Sequence, residues 1–258
     1  MTWKPMEEVR KVTETVLALI VIIVIWEYGT GFAGIAEYIL PVPSVIALKF
    51  WQTLSIQVYH LSITAATTVI GLALSLVIGV LLALSVIYIK PVKAIILPFL
   101  AAFNSIPKIA IAPLFVIWFG LDVESKILLA FLLGLFPVFV NSVTGLGEIE
   151  PDILDLAKLA GGTELRIFSK VRLMNAVPYI TDAVKVAFPL ALVGSIVGEF
   201  IGGNRGVGYL ILSGQFNLDT PLVFACLLSI TLFTTIAIGV VVLLERILLK
   251  WRPSRRKR

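Results

Sequence analysis

A short run of polar residues inside an apolar stretch gives the first indication of what this sequence does. Residues 104–120 read NSIPKIAIAPLFVIWFG, in which an amide, a hydroxyl, a lysine and two prolines interrupt residues suited to lipid. Lipid offers no hydrogen bonds to backbone groups, and a charge at membrane depth is costly. Such groups need shelter inside protein or beside water. The stretch therefore predicts a polar passage across a membrane.

Proline should bend or divide the span that forms this passage. Pro107 and Pro113 each lack the N–H of a helical hydrogen bond, so freed carbonyls and nearby polar side chains would face a central cavity. Lys108 then has three interpretations: contact with an anionic or polar cargo, a pair with a carboxylate such as Glu199, or a side chain that reaches an interface. The predicted path residues are Asn104, Ser105, Pro107, Lys108, Pro113 and Glu199.

Common catalytic chemistry lacks its residues in this sequence. The chain contains one cysteine, Cys226, and one histidine, His60, so neither a disulfide nor a zinc site can be built within one chain from them. Catalysis by a Ser-His-Asp or metal–carboxylate arrangement needs several polar groups in one pocket. We therefore expect a conduit rather than an enzyme, with no cofactor held by this chain.

The composition requires a membrane protein. Of 258 residues, 59% are hydrophobic and 14% are charged, and the mean hydropathy is +1.03. We predict an all-α polytopic membrane protein whose single transmembrane domain fills residues 1–258, because most of the apolar stretches approach or exceed the roughly 20 residues that a helix needs to cross. The six predicted spans are Val12 to Phe32, Ser62 to Ile89, Ala94 to Phe119, Ile127 to Val143, Ala176 to Ile201 and Leu222 to Leu249.

The distribution of lysine and arginine sets the orientation. Most of the 21 basic residues lie in the two tails and in the connections after the second and fourth spans, and the opposite connections hold only Lys49, Lys126 and Arg205. The positive-inside rule therefore places both termini in the cytoplasm. The first apolar stretch is interpreted as a span rather than a cleaved signal peptide, because three glutamates accompany its basic residues. The C-terminal RPSRRKR is interpreted as a topology anchor rather than a lipid or nucleic-acid patch.

Small residues at four-residue spacing predict close helix packing in two spans. They are Gly71, Ser75, Gly79 and Ala83 in the second span, and Ala187, Ala191 and Ser195 in the fifth. Each set lies on one helix face, where another backbone can approach. The next step in the fifth span reaches Glu199, whose carboxylate would point into the bundle or, alternatively, reach the outer surface.

Two exterior segments have a predicted local structure. The connection at residues 33–61 contains PVPS before an amphipathic run, which favours a short interfacial helix over a mere linker. The glycines Gly203, Gly206 and Gly208 predict a turn at a span end. They do not form a nucleotide-binding loop, because that fingerprint needs a preceding strand in a soluble fold.

The longest cytoplasmic connection, about residues 148–172, has a helical pattern. Gly161 and Gly162 interrupt an apolar stripe that resumes at Leu165 and Phe168, so two short helices should meet at a glycine turn. Leu165 and Phe168 are candidate anchors for a groove on another protein. The alternative is a helix that lies on the lipid surface.

This loop resembles the coupling loop of permease subunits of bacterial ATP-binding-cassette importers, whose hallmark is Glu-Ala-Ala, three residues, Gly, nine residues and Ile-x-Leu-Pro. The matching positions are Asp155, Leu156 and Ala157, then Gly161, then Val171, Leu173 and Met174. Asp for Glu, Leu for the first Ala and Met for the proline depart from the hallmark, while the spacing is kept. The resemblance implies that ATPase subunits dock on Asp155, Leu156, Ala157, Gly161, Leu165 and Phe168.

Two further segments are similar to one branch of this family. They are IPKIAIAPLFVIWFG with the following Ser125 and Lys126, and GEFIGGNRGVGYLI at residues 198–211. That branch serves nitrate, taurine, aliphatic sulfonates, bicarbonate and pyrimidine or flavin precursors. The resemblance covers nearly the whole chain and leaves the cargo open.

The resemblance implies a type I importer permease in a bacterial or archaeal cytoplasmic membrane. It would pair with a second permease copy, as a homodimer or a heterodimer, and take cargo from a periplasmic or lipid-anchored binding protein. Two partner ATPase subunits would bind ATP and Mg, and no nucleic acid would be involved. An ion-coupled secondary transporter that uses Glu199 or Lys108 is the alternative. A structural or assembly protein is disfavoured by the interrupted third span.

Overall fold

In a computed structural model, the described part of the chain, residues 4–250, is built from helices joined by short connections. The α-helices are α1 Lys4–Phe32, α2 Pro43–Gln52, α3 Leu54–Tyr88, α4 Lys90–Ser105, α5 Ala112–Phe119, α6 Val123–Gly147, α7 Pro151–Leu159, α8 Glu164–Ile167, α9 Leu173–Gly202, α10 Val207–Phe216 and α11 Thr220–Leu248. A 3-10 turn, Lys108–Ile111, precedes α5, and a π-helical turn, Phe168–Arg172, precedes α9. The basic cluster of the predicted C-terminal anchor, from Arg252 onward, lies outside the described residues.

The prediction of an all-helical membrane protein is confirmed for the described residues, which contain five or six candidate spans. Five helices in the described residues are long and apolar enough to cross a membrane, and they belong to α1, α3, α6, α9 and α11. The segments Lys90–Ser105 and Lys108–Phe119 pass the same test together as one bent span. The cytoplasmic location of both termini stays a prediction.

The third span is broken, as proline predicted. Its two halves meet at an angle of 84°. Pro107 lies between them with φ −63° and ψ +91°, where α4 has ended. Pro113, by contrast, stands in the first turn of α5, where a backbone N–H has no partner within the helix, so the missing N–H costs no helical hydrogen bond. The division is therefore made at Pro107, and the expected second break at Pro113 is wrong.

The described residues form two compact units. The first contains the residues up to Tyr59 together with Leu210–Ile230. Within it, the predicted interfacial helix is present as α2. The Glu27 carboxylate accepts hydrogen bonds from the Ser44 N–H at 3.0 Å and the Ser44 hydroxyl at 2.6 Å. Lys49 of α2 forms an ion pair of 2.5 Å with Asp219. These contacts fix α2 at both ends.

The second unit contains His60–Tyr209 and the described residues from Thr231 onward. In this unit α6 packs between α3 and α9 at distances that exclude side chains. A methyl group on Gly71 of α3 would lie 2.5 Å from Ala130 Cβ of α6, and one on Gly194 of α9 would lie 2.5 Å from the Leu129 carbonyl oxygen. The predicted close packing along the small-residue face of the second span is therefore confirmed. The prediction of one domain over the whole chain stays a prediction.

Candidate functional site: the two ends of the second unit

Gly161 ends α7 with a hydrogen-bonding pattern that only a left-handed residue permits. Its φ is +76°, the Gly162 N–H donates to the Ala157 carbonyl at 3.0 Å, and the Gly161 N–H donates to the Lys158 carbonyl at 2.9 Å. These are the two bonds of a Schellman motif, which satisfies the last carbonyls of the helix. The predicted glycine turn between two short helices is confirmed.

The loop from Glu148 to Arg172 presents leucines to its surroundings. The side chains of Leu156, Leu159 and Leu165 are 68%, 86% and 77% exposed. Asp155 is exposed as well, and Ala157 is half-buried. Three exposed leucines on one short helical hairpin form an apolar patch, and such patches are typical of protein or membrane interaction sites.

Phe168 differs from the expected free anchor. Its ring is half-buried and lies edge-on to Tyr88, with ring centroids 6.4 Å apart. Ile167 beside it is only 3% exposed. Phe168 thus contacts α3 of its own chain, and it lines an open apolar groove of about 310 Å³ with Leu84, Tyr88, Glu164 and Leu165. Leu165 keeps most of its surface free.

Asn175 and Arg172 bind the loop to the end of α6. Neither residue was among the predicted site residues. The Asn175 side-chain amide donates to the carbonyls of Gly145 and Glu148 at 2.8 and 3.1 Å. The Arg172 guanidinium donates to the Leu146 carbonyl at 2.9 Å. The last carbonyls of a helix have no partner within it. The loop therefore returns to the membrane by capping the helix from which it left.

The predicted path residues of the third span lie around its break. Lys108 Nζ donates to Asn104 Oδ1 at 2.5 Å and lies 5.7 Å from the centre of the Phe136 ring. Asn104, Ser105, Pro107 and Pro113 are exposed, and Lys108 is half-buried. A polar face on a broken span fits a passage better than contact with lipid.

Glu199 belongs to a different arrangement, a buried cap on the N-terminus of α10. Three successive N–H groups meet three side chains: Gly206 donates to His60 Nδ1 at 3.0 Å, Val207 to Thr64 Oγ1 at 2.9 Å, and Gly208 to Glu199 Oε2 at 2.7 Å. The Thr64 hydroxyl also donates to Glu199 Oε1 at 2.8 Å. The N-terminus of a helix favours a negative charge, so the carboxylate is well placed there.

Gly206 makes room for this carboxylate. Its φ is +107°, and a methyl group built on it would collide with the Glu199 carboxyl carbon and oxygens. The predicted turn at Gly203, Gly206 and Gly208 is therefore present, and its glycines are required by close approach as well as by φ. We call residues 203–208 with His60, Thr64 and Glu199 the capped turn.

The suggested pair between Lys108 and Glu199 is not formed. No ion pair within residues 4–250 joins them, since Lys108 bonds to Asn104 and both Glu199 oxygens are occupied by Thr64 and Gly208. Glu199 is fully buried, and it does not reach the outer surface. A fully buried group lines no cavity in this conformation, so Glu199 is a structural residue here rather than a neighbour of the path.

The small-residue face predicted for the fifth span did not include the glycines of α9, which also indicate close packing. Gly194, Gly198 and Gly202 recur every four residues, and each approaches α6 or the residue Leu121 before it. That spacing is the known signature of close helix contact in membranes. The roles of His60 and Thr64 had no such signal, because they depend on a contact across more than a hundred residues of sequence.

Comparison with known proteins identifies the family. The family described as "Binding-protein-dependent transport system inner membrane component" matches residues 75–250. The chain belongs to this family. It is a multi-pass membrane protein and a permease subunit of the ATP-binding-cassette importer class. The predicted family is confirmed.

Relatives of this permease carry several cargo names. The formylaminopyrimidine transport permease protein ThiX of Halalkalibacterium halodurans is 35% identical over 93% of this chain and 96% of its own. The riboflavin transport system permease protein RibX of Chloroflexus aurantiacus is 32% identical over 92% and 90%. The putative aliphatic sulfonates permease SsuC of Bacillus subtilis is 32% identical over 91% and 86%.

A solved structure shares the fold of this permease. A chain of the MetNI methionine ABC transporter, in an inward-facing conformation, aligns with a TM-score of 0.65 and 18% identity, over 76% of this chain and 98% of that chain. At this identity the likeness shows the fold alone. It supports the type I importer architecture that the sequence predicted.

Proposed function

We propose that this chain pairs with a second permease copy and forms the alternating-access path of an ATP-driven importer. A small polar or anionic solute would enter from an extracytoplasmic binding protein and leave into the cytoplasm. The observation that carries this proposal is the exposed leucine surface of the Glu148 to Arg172 loop, held in shape by Gly161 and fastened to α6 by Asn175.

The loop has the features of a coupling element. Leu156, Leu159 and Leu165 give it an apolar surface that a groove on an ATPase subunit could bury. Its bonds from Arg172 and Asn175 to the end of α6 provide a rigid connection through which movement of a docked subunit could reach the spans. ATP and Mg would be bound by that partner, and this chain would supply no catalytic group.

The broken third span is the proposed path element. Freed backbone groups near Pro107, together with Asn104 and Lys108, give a polar surface that can change its partners as cargo passes. The relatives named above carry the names of a formylaminopyrimidine and of aliphatic sulfonates, so their names do not point to a single cargo class. Selection is assigned to the binding protein.

A binding experiment tests the docking surface. The ATPase subunit encoded with this chain is co-purified with the wild type and with Leu165→Glu, which places a charge on the apolar surface. We expect the variant to insert normally and to lose the ATPase. The matched control is Leu218→Glu, since Leu218 is 71% exposed in the connection between α10 and α11, which we place outside. Retention of the ATPase by Leu165→Glu, or equal loss in the control, contradicts the proposal.

An uptake experiment tests the importer itself. Proteoliposomes that contain the permease, its ATPase and the binding protein encoded with them are supplied with a formylaminopyrimidine, riboflavin or an alkanesulfonate. We expect uptake of one class only, and only with ATP inside the compartment that faces the loop. Uptake driven by an ion gradient without the ATPase would support a secondary transporter instead.

A further inference from the structure

Lys126 stands out as a buried charge that the proposed path does not use. It lies in the first turns of α6 and is 3% exposed. Among the described residues, no hydrogen bond or ion pair of Lys126 is found. An ammonium group at this depth is costly unless a negative charge lies close by.

Lys126 packs against the residue that precedes Glu199 in α9. Its stem lies against Gly198, where a methyl group would approach within 3.0 Å of both Lys126 Cα and Cγ. Glu199 is the next residue of α9 and is fully buried. Gly198 thus provides the space that allows a lysine of α6 to be buried against the part of α9 that carries Glu199.

The partners of Glu199 leave its charge without a cation in direct contact. Its oxygens accept hydrogen bonds from the Thr64 hydroxyl and the Gly208 N–H, which are neutral donors. The N-terminus of α10 contributes about half a positive charge in total. A full counter-charge must come from elsewhere, and Lys126 is a buried lysine whose stem packs on the residue before Glu199.

We propose that Lys126 is the counter-charge of Glu199 and is a positioning residue for the capped turn. By keeping Glu199 ionised and oriented, Lys126 holds the carboxylate on the N-terminus of α10. The turn that carries the exposed Asn204 and Arg205 is thereby kept in one shape. This inference replaces the pair first considered between Lys108 and Glu199, and it does not depend on the proposed docking surface or path.

A double-mutant cycle on the isolated chain tests the pair. Lys126→Met and Glu199→Gln each strand one buried charge, and Gln can still accept from Gly208 and donate to Thr64. We expect each single variant to be destabilised and the double variant to recover at least about tenfold in the unfolding equilibrium constant, or about 1.4 kcal/mol. The matched cycle uses Lys108→Met with Glu199→Gln and should be additive, because Lys108 bonds to Asn104. Additivity in the Lys126 cycle overturns the proposal.

A spin label on the turn separates positioning from general stability. Asn204→Cys carries the label, while the native Cys226 is buried. Lys126→Met should increase label mobility when Glu199 is present and have little effect in the Glu199→Gln background, and Lys126→Arg should restore the wild-type spectrum. Equal mobility with and without the lysine, or an equal change in both backgrounds, contradicts the positioning role. If Lys126→Met does not insert, the comparison of Lys126→Arg with Lys126→Gln gives the same two outcomes.

Discussion

Two turns in the second unit each contain a glycine with a positive φ, and their surroundings are opposite. Gly161 has φ +76° with nothing within 4 Å of the position of a side chain, whereas Gly206 has φ +107° with the Glu199 carboxylate against it. At Gly206, three buried side chains bind the three N–H groups of the turn and the start of α10. At Gly161 the surface around the turn is exposed leucine.

The two turns therefore differ in whether the chain itself covers them. The N–H groups of Gly206, Val207 and Gly208 in the capped turn bind buried side chains of the same chain, so a change there should be measured as lost stability. The Gly161 turn shapes a surface that the chain does not cover, so a change there should be measured as lost communication with another protein. Substitutions in and around the two turns should therefore differ in their effect on the free energy of unfolding.

Gly206→Ala should have the largest effect. The added methyl group collides with the Glu199 carboxylate, and a left-handed φ disfavours any side chain. We expect a loss of about 3 kcal/mol or more, measured by unfolding in mixed micelles. The corresponding change at a glycine with open surroundings, Gly34→Ala at φ +63°, should cost less because only the φ term applies. Equal costs at the two positions would show that the carboxylate contact is not tight.

Thr64→Val should have the next largest effect. The substitution keeps the shape but leaves the buried Val207 N–H without an acceptor and Glu199 Oε1 without a donor. We expect a loss of about 2 kcal/mol in the free energy of unfolding. Thr235→Val is the control, since its hydroxyl is exposed and bonds only to the Thr231 carbonyl of its own helix. If Thr64→Val were as stable as this control, the Thr64 hydroxyl would not stabilise the capped turn.

Gly161→Val should lower the free energy of unfolding only a little and should strongly reduce the coupling of ATP hydrolysis to uptake. The strain of a β-branched residue at φ +76° is about 1–2 kcal/mol, and no neighbour is displaced. The strain should reshape the α7–α8 hairpin, so we expect ATP hydrolysis to continue with most of the uptake lost. Gly34→Val carries the same backbone strain far from the loop in sequence and should keep its coupling. Normal ATP-driven uptake in the Gly161 variant would end the coupling role of the turn.

Leu165→Ala should have the smallest effect on the isolated chain. Its side chain is already 77% exposed, so its removal should change the free energy of unfolding by less than about 0.5 kcal/mol. Ile167→Ala, two residues away and 3% exposed, should cost about 3 kcal/mol in the same assay. If Leu165→Ala proved as costly as Ile167→Ala, Leu165 would pack within the chain and would not be available to a partner.

The sequence predicted the parts of this molecule that depend on local chemistry. The prolines predicted the break of the third span, and the small residues of α3 predicted a close helix contact, which is made with α6. Gly161 predicted the turn between α7 and α8. Each of these follows from what a residue does to its own backbone or to one helix face. The spans themselves follow from length and apolarity alone.

The parts that depend on long-range contact were not predictable from one sequence. Glu199 bonds to Thr64 across 135 positions, and no spacing rule connects the two. Lys126 was assigned to an exterior connection by its position between spans, whereas α6 begins earlier and buries it. Phe168 was predicted to be an anchor for another protein, but its ring is half-buried and lies edge-on to Tyr88 of its own chain. Charge pairing in a bundle is decided by helix rotation, which hydropathy does not report.

Labelling from the two sides of the membrane tests most directly whether these two turns serve opposite sides. Leu165→Cys and Asn204→Cys are each exposed positions, and the native Cys226 is buried. With a membrane-impermeant thiol reagent on intact cells, we predict that Asn204→Cys is labelled and that Leu165→Cys is labelled only after the cytoplasmic face is opened. Labelling of Leu165→Cys from outside would contradict the account of the loop as an ATPase-facing surface.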